Sequence, residues 1–198
     1  NDILIKENKD LKQENKDLKS KLIFLNEKLS ESKPVDIKKG IAPTIDAKVE
    51  KNISQLSEIE EYFKKDASLY SKFKSFKNNG VEKVLEVSYS DMQAVIKEAK
   101  TYIGTKHLMG GLSQSGIDCS GLLYMSFKAN GITDIPRIAE DFARYGQMIL
   151  NINNLQEGDL VFFTNTYRTP KLVTHAGICV GNGEFIHTSS KRGVMISR

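Results

Sequence analysis

Two cysteines, Cys119 and Cys179, and three histidines, His107, His175 and His187, are the side chains of this 198-residue sequence suited to thiol-and-imidazole chemistry. Their settings differ. Cys119 stands in Gly116-Ile117-Asp118-Cys119-Ser120-Gly121, where a glycine-bearing loop passes into an amphipathic stretch. The spacing of Leu122, Leu123 and Phe127, closed by Asn130-Gly131, predicts a helix that starts about Cys119. The first turn of a helix carries unpaired N–H groups and a partial positive charge that favour a thiolate, so this position is expected to activate the thiol. Gly116, Ser120 and Gly121 are small enough to admit a substrate backbone, and the Cys119 amide at the helix end is placed to donate to an oxyanion. Cys179, between Ile178 and Val180, reads instead as a small buried hydrophobe.

A thiol nucleophile needs a base. His175 and His187 fall on two stretches rich in β-formers on either side of Asn182-Gly183, a strong hairpin signal, so the two rings are expected side by side on one face of a sheet. One would take the thiol proton and the other would hold its partner's far nitrogen, fixing the tautomer. A cysteine at a helix start over such a sheet is the papain arrangement in outline. The spacing of Cys119, His175 and His187 matches none of the short zinc-ligand pairs, and neither metal nor organic cofactor is expected.

The elements that must position these groups follow from periodicity. Ser90 with Gln93 suggests a capping box, followed by an apolar face of Met92, Val95, Ile96, Ala99 and Ile103 up to Gly104. A loop with Gly110, Gly111 and Gly116 leads to the cysteine helix, and Ile138, Phe142 and Tyr145 mark a short helix ending at Gly146. Beyond Gly158 the pattern turns extended, with strands expected at 159–164, 174–180, 184–188 and 194–197. Helices followed by strands joined by tight turns argue an α+β domain with an antiparallel sheet, beginning near Val81.

Upstream, leucines at 4, 11, 18 and 25 keep a seven-residue spacing through the near-repeat KENKDLK and QENKDLK, the period of a coiled-coil seam. Asn1, Asn8 and Asn15 then fall on the other seam position, which favours register over stability, and residues 1–31 are read as a coiled-coil-like helix that self-associates, with a solvated single helix as the alternative because so many polar seam positions weaken the pairing. Residues 32–53, with Pro34, Gly40 and Pro43, read as a linker, and 54–80 as an amphipathic helix that either packs on the downstream domain or extends the stalk. Charge is evenly spread, 8 basic against 7 acidic residues in 1–33, 10 against 9 in 34–90 and 11 against 9 in 91–198, which leaves no basic stripe for nucleic acid. No apolar run approaches the ~18 residues of a membrane span, and no signal segment opens the chain, whose first residue is Asn1.

The blocks GGLSQSGIDCSGLLYMSF, LQEGDLVFF, THAGICVG and FIHTSS resemble, in their order, those of the NlpC/P60 cysteine peptidases over roughly Tyr89 to Arg198. That resemblance implies a papain-like α+β fold and hydrolysis of cell-wall peptides, usually between γ-D-glutamyl and a diamino acid. By it Cys119 is the nucleophile, His175 the base and His187 the third, orienting residue. Asp118 and Ser120 match positions that hold the free amino end of the stem peptide, and His107 and Gly111, in the loop ahead of the nucleophile, join them as substrate-facing candidates. The location implied is the periplasm, envelope or exterior. His107 stands where relatives commonly carry a tyrosine ahead of the double glycine, and many relatives continue past residue 198, leaving room for a further strand. Other readings of the same residues are an amidase or acyl hydrolase, and a catalytically weak wall-binding module on a stalk.

Overall fold

The computed structural model describes residues 53–78 and 87–198. The expected coiled coil at 1–31 and the domain boundary near residue 81 lie outside the described residues, as does the linker except for Ile53, which opens a helical stretch at 53–58.

The expected single helix at 54–80 is broken. Helix α1 is Glu60–Phe63 and α2 is Ala67–Asn78, with a turn between them at 64–66. Glu60 ties the two together, accepting from Tyr70 Oη at 2.8 Å and Lys77 Nζ at 2.6 Å, while Phe63 stacks on Phe73 at 4.5 Å. The pair packs on the downstream domain: Leu56, Phe63, Phe73 and Phe76 join its core, and buried Arg144 donates to the Phe76 carbonyl at 2.6 Å.

Helix α3 (Tyr89–Thr101) buries Val95, Ile96 and Ala99. Its cap is Ser88, which accepts from the Asp91 N–H at 3.1 Å, so the helix starts ahead of the expected Ser90. It also ends before Ile103, which is exposed. Helix α4 (Cys119–Ala129) starts where the sequence indicated, with Asp118 as its cap, and packs between α3 and the sheet. Helix α5 (Ala139–Phe142) is a single turn that buries Phe142.

The loop between α3 and α4 carries a small hairpin, β1 (Leu112–Ser113) against β2 (Gly116–Ile117), which the sequence did not signal. The main sheet is an antiparallel meander of β3 (Leu160–Thr164), β4 (Val173–Gly181), β5 (Glu184–Ser189) and β6 (Gly193–Ser197) in that order. Asn182 and Gly183, with φ of 55° and 71°, make the tight β4–β5 turn as expected. Main-chain bonds from Gly104 N to Val194 O (2.9 Å) and from Val194 N to Thr105 O (2.8 Å) fasten the start of the α3–α4 loop to β6. The core of Ile96, Ile117, Leu122, Leu123, Ile178 and Ile186 fills the space between the helices and the sheet.

Among the described residues, 53–78, 87–148 and 156–197 belong to one compact body. Outside it, Ile149–Leu155 holds a turn of 3₁₀ helix at Ile152–Asn154, capped by the Asn151 side chain, which accepts from Asn153 N at 2.9 Å. Among the described residues no helix is long and apolar enough to cross a membrane.

Candidate active site

Cys119 is the first residue of α4 and is half-buried. The N–H of Ala176 in β4 is near enough to favour the ionised form of its thiol, which sets the sulfur toward the strand one residue along from His175. Gly121 stands in the same helical turn. A Cβ there would lie 2.4 Å from the Gly111 carbonyl oxygen, so only glycine lets the first turn of α4 lie against the Gly110–Gly111 loop.

Register places the histidines. His187 on β5 stands opposite Gly177 on β4, so His175, two residues before Gly177, is its diagonal neighbour on the same face. A Cβ at Gly177 would lie 3.2 Å from His187 Cβ and 2.8 Å from the Ile186 carbonyl, so the missing side chain leaves the gap that the rings close. Nε2 of His175 and Nδ1 of His187 are 2.8 Å apart with the rings nearly perpendicular at 87°, which leaves Nδ1 of His175 to take a proton from outside the pair. His187 Nε2 in turn lies 2.9 Å from Ser197 Oγ on β6.

The electrostatics correct one expectation. Burial pushes the Cys119 thiol above its ordinary value, and the nearby Asp118 charge adds to this; the Ala176, Ser120 and Cys119 N–H groups oppose the rise without cancelling it. The helix start therefore does not by itself hold a thiolate, because loss of solvent outweighs the helix-end charge. His175 is pushed down to about 3, by burial first and then by His187 and His107; His187 falls to about 4 through burial. At neutral pH the resting site holds a protonated sulfur and two neutral rings.

Asp118 is the best-bonded group nearby. Its Oδ1 accepts from Gly121 N at 2.6 Å, Arg137 Nη1 at 3.2 Å and Ser120 Oγ at 3.3 Å, and its Oδ2 from Gly110 N at 2.7 Å and Arg137 Nη2 at 3.2 Å. Burial works against its ionisation, but Arg137 and the two amides hold the carboxyl below its ordinary value. Arg137 also donates to Ser120 Oγ at 2.9 Å.

The structure therefore brings His175 and His187 together and sets Cys119 toward the strand that carries His175, while Arg137 grips Asp118 and Ser120 on either side of Cys119 in the chain. Gly111 lies under the first turn of α4, with its carbonyl 3.5 Å from Arg137 Nη2. His107 is half-buried, bridges to Ile117 in parallel fashion, and is near enough for its charge to be felt at His175. The phenol of Tyr167, half-exposed on the β3–β4 loop, is pushed above its ordinary value by burial first and then by its nearness to Cys119, Asp118 and Glu140. Arg137 and Ser197 went unrecognised in the sequence. Arg137 had a possible signal, a lone arginine after Ile135-Pro136 in an aperiodic loop; Ser197 had none beyond its strand. Among the described residues no group of three His, Cys, Asp or Glu side chains is arranged to hold a metal ion.

The model of the NlpC/P60 family matches residues 104–198. Gamma-DL-glutamyl hydrolase of Bacillus subtilis (strain 168) is 43% identical to this chain over 105 residues, covering 52% of this chain and 24% of that protein. Gamma-D-glutamyl-L-lysine dipeptidyl-peptidase of the same organism is 40% identical over 103 residues, covering 52% of this chain and 33% of that protein. The chain thus spans about a third or less of the length of these two curated relatives. A solved structure from Staphylococcus aureus subsp. aureus Mu50, described as similar to a lipoprotein of the NLP/P60 family, is similar at a TM-score of 0.50 and 33% identity, covering 57% of this chain and 38% of that one.

Proposed function

From the match of residues 104–198 to the NlpC/P60 family model, we propose that the chain is a cell-wall hydrolase of that family cutting peptidoglycan stem peptides between γ-D-glutamyl and a diamino acid. Cys119 is the nucleophile, His175 the base and His187 the residue that orients it. The observation that carries the reading is the 2.8 Å contact between the two rings, on a sheet whose Ala176 N–H, next in the chain to His175, acts on the Cys119 thiol. The names of the two Bacillus relatives support the choice of bond.

In this mechanism His175 Nδ1 takes the thiol proton as the sulfur attacks the γ-glutamyl carbonyl carbon. The Cys119 N–H donates to the oxyanion that forms. Collapse expels the amine of the diamino acid, which receives the proton from His175, and leaves a thioester. Water, losing a proton to His175, then attacks that thioester; the acid leaves and the thiol is restored. Because the resting pair is neutral, proton transfer accompanies attack rather than preceding it.

Asp118 and Ser120 hold the free amino end of the stem peptide in this reading. Asp118 already accepts five hydrogen bonds, so an incoming ammonium must share or displace Arg137. The substrate places the protein in the envelope or outside the cell. Mass spectrometry of defined muropeptides after digestion tests the bond: fragments separated at γ-D-glutamyl–diamino acid are expected. Release of a free lactyl group would show an amidase instead, and unchanged masses would leave only a binding module.

A further inference from the structure

Ser197 is two strands away from the proposed base, yet it ends the line of polar atoms that starts there. Gly177 pairs with His187 and His187 with Met195, while Phe185 pairs with Ser197. With side chains alternating along each strand, His175, His187 and Ser197 fall on one face as successive diagonal neighbours across β4, β5 and β6. Their contacts are 2.8 Å between the rings and 2.9 Å from His187 Nε2 to Ser197 Oγ.

A neutral imidazole carries one N–H and one bare nitrogen. Burial keeps both rings neutral at ordinary pH, so two protons are shared among four ring nitrogens, and each contact in the line has room for one. Two arrangements satisfy both contacts. In the first, His175 is protonated on Nε2 and donates to His187 Nδ1, whose own proton sits on Nε2 and goes to Ser197 Oγ. This arrangement leaves Nδ1 of His175 bare and able to take a proton. In the second, Ser197 donates to a bare His187 Nε2, His187 donates from Nδ1 to His175 Nε2, and His175 Nδ1 already carries a proton and cannot act as a base. The hydroxyl's choice between accepting and donating thus decides which nitrogen faces the thiol. Ser197 is only half-buried, so its O–H can donate to solvent and leave a lone pair to accept from the ring.

We propose that Ser197 is a positioning residue: by accepting the Nε2–H of His187 it fixes the tautomers of both rings so that His175 presents a bare Nδ1. The inference rests on His175 acting as the base in the reading above. Once His175 is charged, the same line remains satisfied, with His187 Nδ1 accepting from the imidazolium and Ser197 still accepting from His187, so no rearrangement is needed during the reaction.

Ring-nitrogen NMR of the full chain labelled with ¹⁵N-histidine reads the tautomers without any substrate. The expected result is Nε2–H on both His175 and His187, lost or mixed in Ser197→Ala and restored in Ser197→Thr. Turnover of a defined muropeptide by Ser197→Ala is expected to fall about tenfold in kcat at unchanged KM, the rate equivalent of one hydrogen bond, and to recover in Ser197→Thr. An Nδ1–H on His187 of the unmodified protein would overturn the proposal with no variant needed. So would tautomers unmoved by Ser197→Ala, whether or not turnover slowed. Because the tautomer reading is independent of hydrolysis, absence of muropeptide cleavage would count against the proposed function and not against the lock.

Discussion

The resting proton sits on sulfur because the same burial acts on both partners, raising the Cys119 thiol and lowering the His175 ring. A preformed thiolate–imidazolium pair would react with an alkylating agent across the neutral range. A neutral pair reacts slowly there and speeds up only as the thiol ionises. The rate of Cys119 alkylation by iodoacetamide is therefore expected to climb with pH through the alkaline range, with no plateau near neutrality, and to vanish in Cys119→Ser. A flat rate between pH 5 and 8 would show an ion pair and contradict the neutral resting state. The placement of the three residues was legible in the sequence because a cysteine at the end of a glycine-rich loop and two histidines flanking Asn182-Gly183 are local patterns. The direction of the thiol shift was not legible. It depends on how much solvent the strand beside Ala176 removes, a property of packing that the first turn of a helix does not disclose.

At the scale of elements, strand register carries the site. Gly177 faces His187 directly, and a Cβ there would come within 2.8 Å of the Ile186 carbonyl and 2.9 Å of the Phe185 ring. Gly177→Ala is expected to push β4 and β5 apart at this step, costing about 1–3 kcal/mol in stability, and to lower kcat more than KM because the rings separate; chemical denaturation and steady-state kinetics on the one variant check both parts. Wild-type kinetics in a folded Gly177→Ala would show that the register is not what holds the pair. The four strands and α4 could be read from the sequence because each is a short run with one dominant period and a turn residue at its end. Three features escaped that reading: the break at 64–66, the small β1–β2 hairpin, and the cap at Ser88. The first two have little apolar periodicity. At the third, two serines of equal capping ability lie two residues apart, and the Asp91 amide rather than a sequence rule decides between them. Arg137 and Ser197 were hidden for a different reason: Arg137 reaches Asp118 from an aperiodic loop, and Ser197 is a common strand residue whose contact with His187 only the folded register shows.

For the whole molecule, the buried rings tie stability to pH. A ring whose folded value lies below its unfolded value of 6.5 favours folding most when neutral, so its contribution is full above that pH and is lost as pH falls toward the folded value. For His187, depressed to about 4, the loss between pH 7 and 4 is on the order of 3 kcal/mol. The melting temperature is expected to drop over that interval, and to drop less in His187→Asn; equal slopes for the two proteins would refute the link. The same burial unites the helices upstream, the sheet and the reactive end of α4 into one body, so that acid, register and nucleophile are coupled through a shared core. The most direct test of the central chemistry is the digestion of a defined muropeptide by the unmodified chain and by Cys119→Ala, side by side, with folding of the variant verified by circular dichroism. Cleavage by the former and none by the folded variant is the expected result; undiminished cleavage by Cys119→Ala would contradict it.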